Sequence, residues 1–360
     1  MMMDGFQAWS TDEKAGTYFD EAGLALAQRH SDWWQRRGLL ITETQGQPLG
    51  DLWLPLADGS LATEDLDLLP EMLDLDRLAG ERLEPGPLQM HGDLFATATA
   101  FTRIPWVEAI LGAPIRATIQ GGSMRAHPAA RNWDEWEHRS PRVNRRWLDL
   151  LVEMLQQLVE RSAGRRAVVH TLMRGPSDLA EALLGPEMMS LAMYDHPAAL
   201  SAFLDEVTGV FLDVLQAQMA CISAVNGGYV NPFGIWAPGT VVRTQCDASA
   251  FLSPKHYAQW FLPYDARISQ AVDYSIIHLH SSSLHTVDAL LDSEYPRAIQ
   301  ITIETNPGSP SFEALTVVAR RILRTKPLIL DGPLSSEEVS RARDLLPSDG
   351  LCIIARKSPW

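Results

Sequence analysis

Residues 274–303 read YSIIHLHSSSLHTVDALLDSEYPRAIQITI, and this stretch indicates the fold more directly than the rest of the chain. It begins with an apolar run at 274–280, continues with an amphipathic stretch at 284–292 and ends with an apolar run at 298–303. Short apolar runs are typical of buried strands, and a helix between two such runs is the connection that parallel strands need. The stretch therefore predicts one strand–helix–strand unit of a parallel sheet.

The same alternation extends from about residue 94 to residue 355. The candidate strands are 94–100, 167–173, 228–231, 241–246, 274–280, 298–303, 327–330 and 351–355. The candidate helices are 145–161, 196–220, 254–272, 284–292, 311–324 and 335–346, with Ser253 and Ser335 as N-caps of two of them. Eight strands separated by helices predict an α/β protein with a closed (β/α)8 TIM barrel.

The N-terminal quarter of the chain has a different pattern. Residues 17–40 predict a helix, whereas residues 46–93 are rich in proline, glycine, aspartate and leucine and show little sustained period. We therefore expect a helical cap and lead-in at 1–93 and the barrel at 94–360, together forming one domain.

Charge and cysteine content restrict the classes of partner and compartment. The chain has 45 acidic and 30 basic residues, a net charge of −15 that repels nucleic acid and anionic membranes. The three cysteines are widely spaced, which disfavours a disulfide scaffold. Met1–Lys14 lacks the basic and apolar regions of a signal peptide, and no segment approaches the roughly 18 apolar residues of a membrane span. A cytoplasmic protein is expected, without nucleic-acid or membrane partners.

Polar side chains follow most of the predicted strands. In a barrel of this type the loops after the strands converge on one mouth, where the catalytic groups lie. The residues that this rule places at the mouth are Arg174, Asn231, Asp247, His278, His280, Glu304 and Asp331. We expect most of them to line a common cavity.

His278 and His280 are the most specific feature among them. Residues i and i+2 of a strand face the same side, so the two imidazoles can bind one metal ion, and zinc is the commonest choice for such ligands. The third ligand is expected to be Glu304, then Asp331, then Cys352, which stands near the start of its strand. The alternative is that both histidines are hydrogen-bonded side chains that orient a substrate without a metal.

The other candidates each have a functional and a structural interpretation. Arg174 either binds a substrate anion beside a helix whose cap is Ser177, or forms a salt bridge. Asp247 is either a catalytic acid or base, or the cap of a turn. Four residues are candidates for substrate binding: Arg125, His127, Asn231 and His285. The structural alternative is loop surface for Arg125 and His127, and a helix cap or the protein surface for His285.

Residues 247–264, DASAFLSPKHYAQWFLPY, resemble a segment of the uroporphyrinogen decarboxylase superfamily, in which an aspartate begins a loop that leads to Leu-Ser-Pro, an aromatic residue and Pro-Tyr. The similarity extends to 104–112, 175–185 and 331–339 in the order of the family. It implies a (β/α)8 barrel with one deep mouth. It also implies one of two activities, porphyrinogen decarboxylation or zinc-dependent methyl transfer involving corrinoids and thiols.

Departures from the family pattern favour methyl transfer. Ala100 and Ala182 stand where the decarboxylases carry a catalytic aspartate and tyrosine, and His278-Leu279-His280 stands where the methyltransferases hold zinc with His-x-Cys. The resemblance therefore implies a metal-dependent methyltransferase that uses a corrinoid or thiol substrate, with zinc as cofactor and a corrinoid or corrinoid protein as partner. The alternatives are a decarboxylase of a porphyrinogen or other carboxylate, and a non-catalytic protein that binds a tetrapyrrole or corrinoid. The oligomeric state stays open, with a homodimer as one alternative.

Overall fold

The computed structural model describes residues 19–46, 50–139 and 142–357 and has an α/β fold. The strands of this part of the chain are β1 (Leu39–Gln45), β2 (Leu66–Leu68), β3 (Met90–His91), β4 (Leu94–Phe95), β5 (Thr97–Ala98), β6 (Ile115–Thr118), β7 (Ser123–Ala126), β8 (Ala167–Val168), β9 (Tyr229–Val230), β10 (Trp236–Ala237), β11 (Val241–Gln245), β12 (Tyr274–His280), β13 (Ala298–Thr302), β14 (Leu328–Gly332) and β15 (Leu351–Lys357).

The α-helices are also numbered in chain order. They are α1 (Glu21–Trp34), α2 (Leu75–Leu78), α3 (Trp106–Ile110), α4 (Trp133–His138), α5 (Arg145–Ser162), α6 (Pro176–Leu184), α7 (Pro186–Asp195), α8 (Pro197–Cys221), α9 (Pro254–His256), α10 (Leu262–Gln270), α11 (Val287–Asp292), α12 (Phe312–Leu323) and α13 (Ser336–Leu345). A π-helical turn at Tyr257–Phe261 joins α9 to α10, and 3-10 turns include Asp247–Phe251 and Ser281–Thr286. No helix in the described residues is both long and apolar enough to cross a membrane.

The main sheet has six parallel strands in the order β1-β15-β14-β13-β12-β11. β5 and β8 form a separate parallel pair. Contacts beyond β8 connect this pair to β11, since the backbone N–H of Arg243 donates to His170 Nε2 at 3.0 Å and that of Gly175 donates to the Gln245 carbonyl at 3.0 Å. The six-stranded sheet is thus open, and the β5–β8 pair lies beside its β11 edge.

The inner face of the main sheet is layered. Alternate residues of its six strands form an apolar layer with Trp33 and Trp34 of α1, consisting of Leu40, Val241, Ile276, Ala298, Ile329 and Cys352. Two residues further along each strand the same face carries a buried and mostly polar layer of Thr42, Arg243, His278, Gln300, Asp331 and Ile354. The opposite face packs against the helices, which form the largest apolar core. The polar layer therefore lies nearer the carboxyl ends of the strands than the apolar layer does. On the other face of the sheet, the same strands pack against apolar side chains of the helices.

The helices predicted from periodicity are confirmed to within a few residues. Ser253 and Ser335 accept hydrogen bonds from the backbone N–H groups of His256 and Glu338, and Glu338 completes a capping box. Ser177 does not cap α6, because Gly175 is the N-cap residue and Ser177 lies within the first turn.

The structure differs from the strand predictions at three places, one of which is 94–100, where two short strands, β4 and β5, replace one. Residues 228–231 were expected in the barrel, but β9 pairs only with β10, in an antiparallel hairpin. β1 was not predicted, and it pairs with β15 over Leu39–Gln45, so one strand of the main sheet lies within the expected cap at 1–93. Met1–Lys14 and the first residues of the predicted helix at 17–40 lie outside the described residues.

Replacing His170 by alanine is expected to lower the free energy of unfolding by about 2 to 4 kcal/mol at pH 7.5, since it removes a buried ring and both of its hydrogen bonds. His170 Nδ1–H donates to the Thr171 carbonyl at 2.8 Å while Nε2 accepts from Arg243, so the folded state needs the neutral imidazole. Burial lowers the pKa of His170 from 6.5 to about 4. Its contribution is therefore complete above pH 6.5 and is lost as the pH falls toward 4.

Urea unfolding of both proteins at pH 7.5 and 5.0 tests this expectation. The difference between wild type and His170→Ala should shrink by roughly 2 kcal/mol at the lower pH. The exposed His138 is the matched control, and His138→Ala should change the stability by less than about 0.5 kcal/mol. A difference for His170→Ala that does not depend on pH would show that the ring is not held neutral.

Candidate metal centre

Two histidines at the carboxyl end of β12 lie side by side. Side chains alternate along a strand, so His278 and His280 face the same inner side, and their ring centroids are 4.9 Å apart with the planes at 85°. His278 is 8% exposed and His280 is 34% exposed in the side chain. The imidazole of His278 is thus buried in the sheet, whereas that of His280 is partly exposed at the open end of the site.

A glutamine on the neighbouring strand fixes the tautomer of His278. Gln300 pairs with His278 in the register of β12 and β13, and its Nε2 donates to Thr302 Oγ1 at 3.1 Å. The Gln300 Oε1 atom therefore faces His278 and accepts a hydrogen bond from Nδ1–H. His278 Nε2 is left as an unprotonated nitrogen, 3.5 Å from Asp247 Oδ1.

A glutamate holds His280 in the same way. Glu304 Oε1 lies 3.1 Å from His280 Nδ1, and its Oε2 accepts from the Ser281 hydroxyl at 3.0 Å. A carboxylate accepts but does not donate, so Nδ1 carries the hydrogen and Nε2 faces Asp247 Oδ2 at 3.6 Å. Glu304 therefore contacts the outer side of the ring and lies behind His280 as seen from Asp247.

Asp247 completes the group from the turn that follows β11. Its Oδ2 accepts from Gln245 Nε2 at 2.8 Å, while its Oδ1 is buried and has no hydrogen-bond partner within the described residues. One ligand atom each from Asp247, His278 and His280 lies within 4.8 Å of the other two. The buried Oδ1 faces His278 Nε2 and lacks a donor, and a cation or a proton at this point would supply the missing positive charge.

The pKa shifts at the cluster agree with this geometry. Burial lowers the pKa of His278 to about 3, so this ring stays neutral. The adjacent carboxylate of Asp247 raises the pKa of His280. Burial tends to raise the pKa of Asp247, but the neighbouring His280 and His278 outweigh this effect and lower it. The carboxylate thus favours positive charge on the side of His280.

Further charged residues surround the cluster. The buried Arg243 donates to Gln245 Oε1 at 2.6 Å and belongs to the same hydrogen-bond chain as Asp247. Asp178, in the first turn of α6, accepts from the backbone N–H of Ala248 at 2.8 Å. Burial and then the charge of Asp247 raise the pKa of Asp178 to about 8, so it is mostly protonated at neutral pH. Neither Arg243 nor Asp178 is among the site residues predicted from the sequence.

The other two expected third ligands lie elsewhere. Both carboxylate oxygens of Asp331 are bound by Arg356, at 2.5 and 2.6 Å from Nε and Nη2. Cys352 lies in the apolar layer near the start of β15, and burial raises its pKa well above the usual range. Of the carboxylates near the two histidines, Asp247 is the one that faces Nε2 of both rings, because the turn after β11 brings it across them.

The remaining candidates do not join the cluster. Arg174 lies 3.0 Å from the buried Glu108, so its structural interpretation as a salt bridge matches the contact, although its charge is also felt by Asp247. Arg125 and His127 are exposed at β7, in a three-stranded antiparallel sheet away from the cluster. Asn231 Oδ1 accepts from the backbone of Phe233 and Ile235 in the hairpin turn.

His285 supports the cluster indirectly. Its Nε2 lies 2.9 Å from the Leu252 carbonyl and 3.2 Å from the Ser249 carbonyl. Both carbonyls belong to the turn that begins with Asp247, so His285 holds this turn against the 3-10 segment after β12. It acts here as a structural residue and not as an anion ligand.

No protein-family model and no curated protein sequence matches the chain. Among solved structures, a methyltransferase from Methanosarcina mazei matches with a TM-score of 0.53, over 73% of this chain and 75% of its own, at 12% sequence identity. A B12-independent methionine synthase from Shewanella sp. W3-18-1, solved in complex with selenomethionine, matches with a TM-score of 0.45, over 89% and 91% of the two chains, at 10% identity. The protein thus shares its α/β fold with the Methanosarcina mazei enzyme, as the resemblance to the uroporphyrinogen decarboxylase superfamily implies.

Proposed function

We propose that the six-stranded sheet and the β5–β8 pair together form one closed (β/α)8 barrel. The side-chain and backbone contacts of His170 and Gly175 place the pair beside β11, and the backbone N–H of Asp93, which precedes β4, donates to the Ile41 carbonyl of β1 at 3.3 Å. These contacts support eight parallel strands in circular order. The candidate metal centre then occupies the mouth of the barrel, where the catalytic groups of such enzymes lie.

We propose that the protein is a metal-dependent methyltransferase whose metal is held by His278, His280 and Asp247. The convergence of two imidazole nitrogens and one carboxylate, with Asp247 Oδ1 left without a donor, carries this proposal. In both rings the Nδ1–H group is bound on the outer side and Nε2 faces the common point, where a metal would take the place of any proton on His280. Nitrogen and oxygen ligands in this number suit a catalytic zinc ion that keeps a position open for substrate.

The ligand set also indicates the chemistry. Two neutral imidazoles and one carboxylate contribute a single negative charge, so a divalent ion would keep a net positive charge and act as a Lewis acid that favours the thiolate form of a bound thiol. Gln300 and Glu304 keep the two rings oriented, and Arg243 balances the negative charge of Asp247 through Gln245. A thiol or a corrinoid is the substrate class that we propose.

The metal content of the purified protein tests this proposal. Elemental analysis of protein purified without added metal should find about one equivalent of a divalent metal, zinc first, and His280→Ala should lose it. His127→Ala is a control, because this histidine is exposed and lies outside the cluster. Metal-free wild type that gains no metal in dialysis against zinc, or equal metal content in the His280→Ala variant, would contradict the proposal.

Activity requires a separate assay. Metal-loaded protein should transfer the methyl group of methylcobalamin to the thiolate of 2-mercaptoethanol, which the visible spectrum of the corrinoid reports. The methyl group leaves as a cation equivalent, so the carbon–cobalt electron pair stays on cobalt and a thioether forms. Stoichiometric metal without methyl transfer, together with tight corrinoid binding, would instead support the non-catalytic alternative.

A further inference from the structure

A pocket of about 370 Å³ lies beside β1 and β5. No ladder joins these two strands within the described residues. Its lining comes from β1, β15, the segment around β4 and β5, and the β9–β10 turn. None of Asp247, His278 and His280 contributes to it. A volume of this size suits a small metabolite.

The lining of this pocket carries one uncompensated positive charge, although the protein as a whole has a net charge of −15. Arg166 and Arg356 line it, and no aspartate or glutamate is among the described lining residues. Asp331 compensates the charge of Arg356, whereas no described carboxylate pairs with Arg166. A free guanidinium in a lining without carboxylates favours an anionic ligand.

Several donors in the pocket are not used by the protein. Arg166 is exposed, is one of the lining residues and makes no hydrogen bond or ion pair with another described residue. Arg356 is 51% exposed and binds Asp331 through Nε and Nη2, which leaves Nη1 outside this pair. Thr44 Oγ1 is buried and has no hydrogen-bond partner among the described residues. Guanidinium forks and hydroxyl groups are the groups that bind carboxylate or phosphate oxygens.

The lining also includes apolar residues. Leu94, Phe95 and Ile354 are buried, and Phe233 is partly buried. Phe95 is held in place by stacking on Phe19, with the centroids 4.8 Å apart. A ligand with both an oxyanion and an apolar body would suit a lining of this composition.

We propose that this pocket binds a small molecule that carries a carboxylate or phosphate group, with Arg166 as the main charged contact. The site contains none of the three residues of the candidate metal centre. Arg243 stands between the two, 5.8 Å from the Phe233 ring on one side and hydrogen-bonded to Gln245 on the other. The proposal does not depend on the metal, and it holds for metal-free protein as well.

Titration of the metal-free protein with benzoate, benzamide and inorganic phosphate tests the proposal, with binding followed through the ¹H–¹⁵N signals of arginine side chains. Benzoate should bind and the neutral, equally shaped benzamide should not. Arg166→Gln should weaken benzoate binding by roughly tenfold to a hundredfold, since a hydrogen bond to a charged group is lost. Arg166→Lys should lie between the two, because it keeps the charge and loses the fork.

Two controls make the result specific. Arg103 is also exposed and also without a partner in the described structure, and Arg103→Gln removes the same charge outside the pocket, so it should leave binding unchanged. His280→Ala should also bind benzoate normally, which separates this site from the metal centre.

Tighter binding of phosphate than of benzoate would identify free phosphate as the ligand, and the reverse would identify an organic acid. Equal binding of benzamide and benzoate, or unchanged benzoate binding in Arg166→Gln, would overturn the proposal.

Discussion

Replacing Asp247 by asparagine is expected to lower the zinc affinity by more than 100-fold, whereas Glu304→Gln should lower it by roughly 10- to 100-fold. The two carboxylates contact the histidine pair from opposite sides. Asp247 faces Nε2 of both rings, at 3.5 and 3.6 Å, so its loss removes a ligand charge from the point where the atoms converge. Glu304 accepts from Nδ1 of His280 alone, so its loss disturbs the orientation of one ring.

Competition with a chromophoric zinc chelator measures both affinities. Both substitutions keep the size of the side chain, and circular dichroism of each variant shows whether the fold is kept. The comparison also decides which carboxylate is the third ligand, Asp247, which the geometry favours, or Glu304, which the sequence favours. A larger loss in Glu304→Gln than in Asp247→Asn would restore Glu304 as the ligand.

Replacing Gly175 by alanine is expected to destabilise the protein by about 2 to 3 kcal/mol and to weaken metal binding at the same time. A Cβ atom at this position would overlap the carbonyl oxygen of Gln245 and would lie 2.9 Å from Thr244 Oγ1 and 3.0 Å from Asp265 Oδ1. Gly175 precedes α6, and its backbone N–H donates to that same carbonyl. The end of β11 must therefore shift, and Gln245 and Asp247 shift with it.

Gly209 offers the matched control. It lies inside α8, where an added Cβ would meet nothing within 4 Å, so Gly209→Ala should raise the stability by about 0.5 to 1 kcal/mol. Urea unfolding gives both values, and the chelator assay gives the metal affinities. A Gly175→Ala protein with wild-type stability and wild-type zinc affinity would show that the contact between α6 and β11 is not needed for the site.

Much of the fold was predictable because its signals are local. The helices α5, α8, α12 and α13 follow from apolar residues at helical spacing and from caps such as Ser335, which depend on neighbours in the sequence. The strand β1 was missed because its alternating pattern, with Thr42 buried and Glu43 exposed, is short and has no flanking helix on its C-terminal side. The hairpin β9–β10 was misjudged because a two-residue apolar strand carries no information about its partner.

The candidate site was predictable in part. The spacing of His278 and His280 was sufficient to place both rings on one face of a strand, and the position of Asp247 after β11 was sufficient to bring it to the same end of the sheet. Gln300 and Arg243 could have been found by the same alternation, since they are polar residues at inner-facing positions of apolar strands. Asp178 has no such signal, because its burial against the turn after β11 depends on where α6 packs.

The sequence by itself determined the order of strands and helices, the pair of imidazoles and the family resemblance, because periods of two and 3.6 residues and short motifs are properties of neighbouring residues. Only the tertiary structure decided which carboxylate meets the histidines. Glu304 and Asp331 both stand at strand ends, yet Glu304 lies behind His280 and Asp331 is neutralised by Arg356, whereas Asp247 reaches across from the turn after β11. Distances between side chains on different strands depend on register and on competing partners, and neither is written in the spacing of residues along one strand.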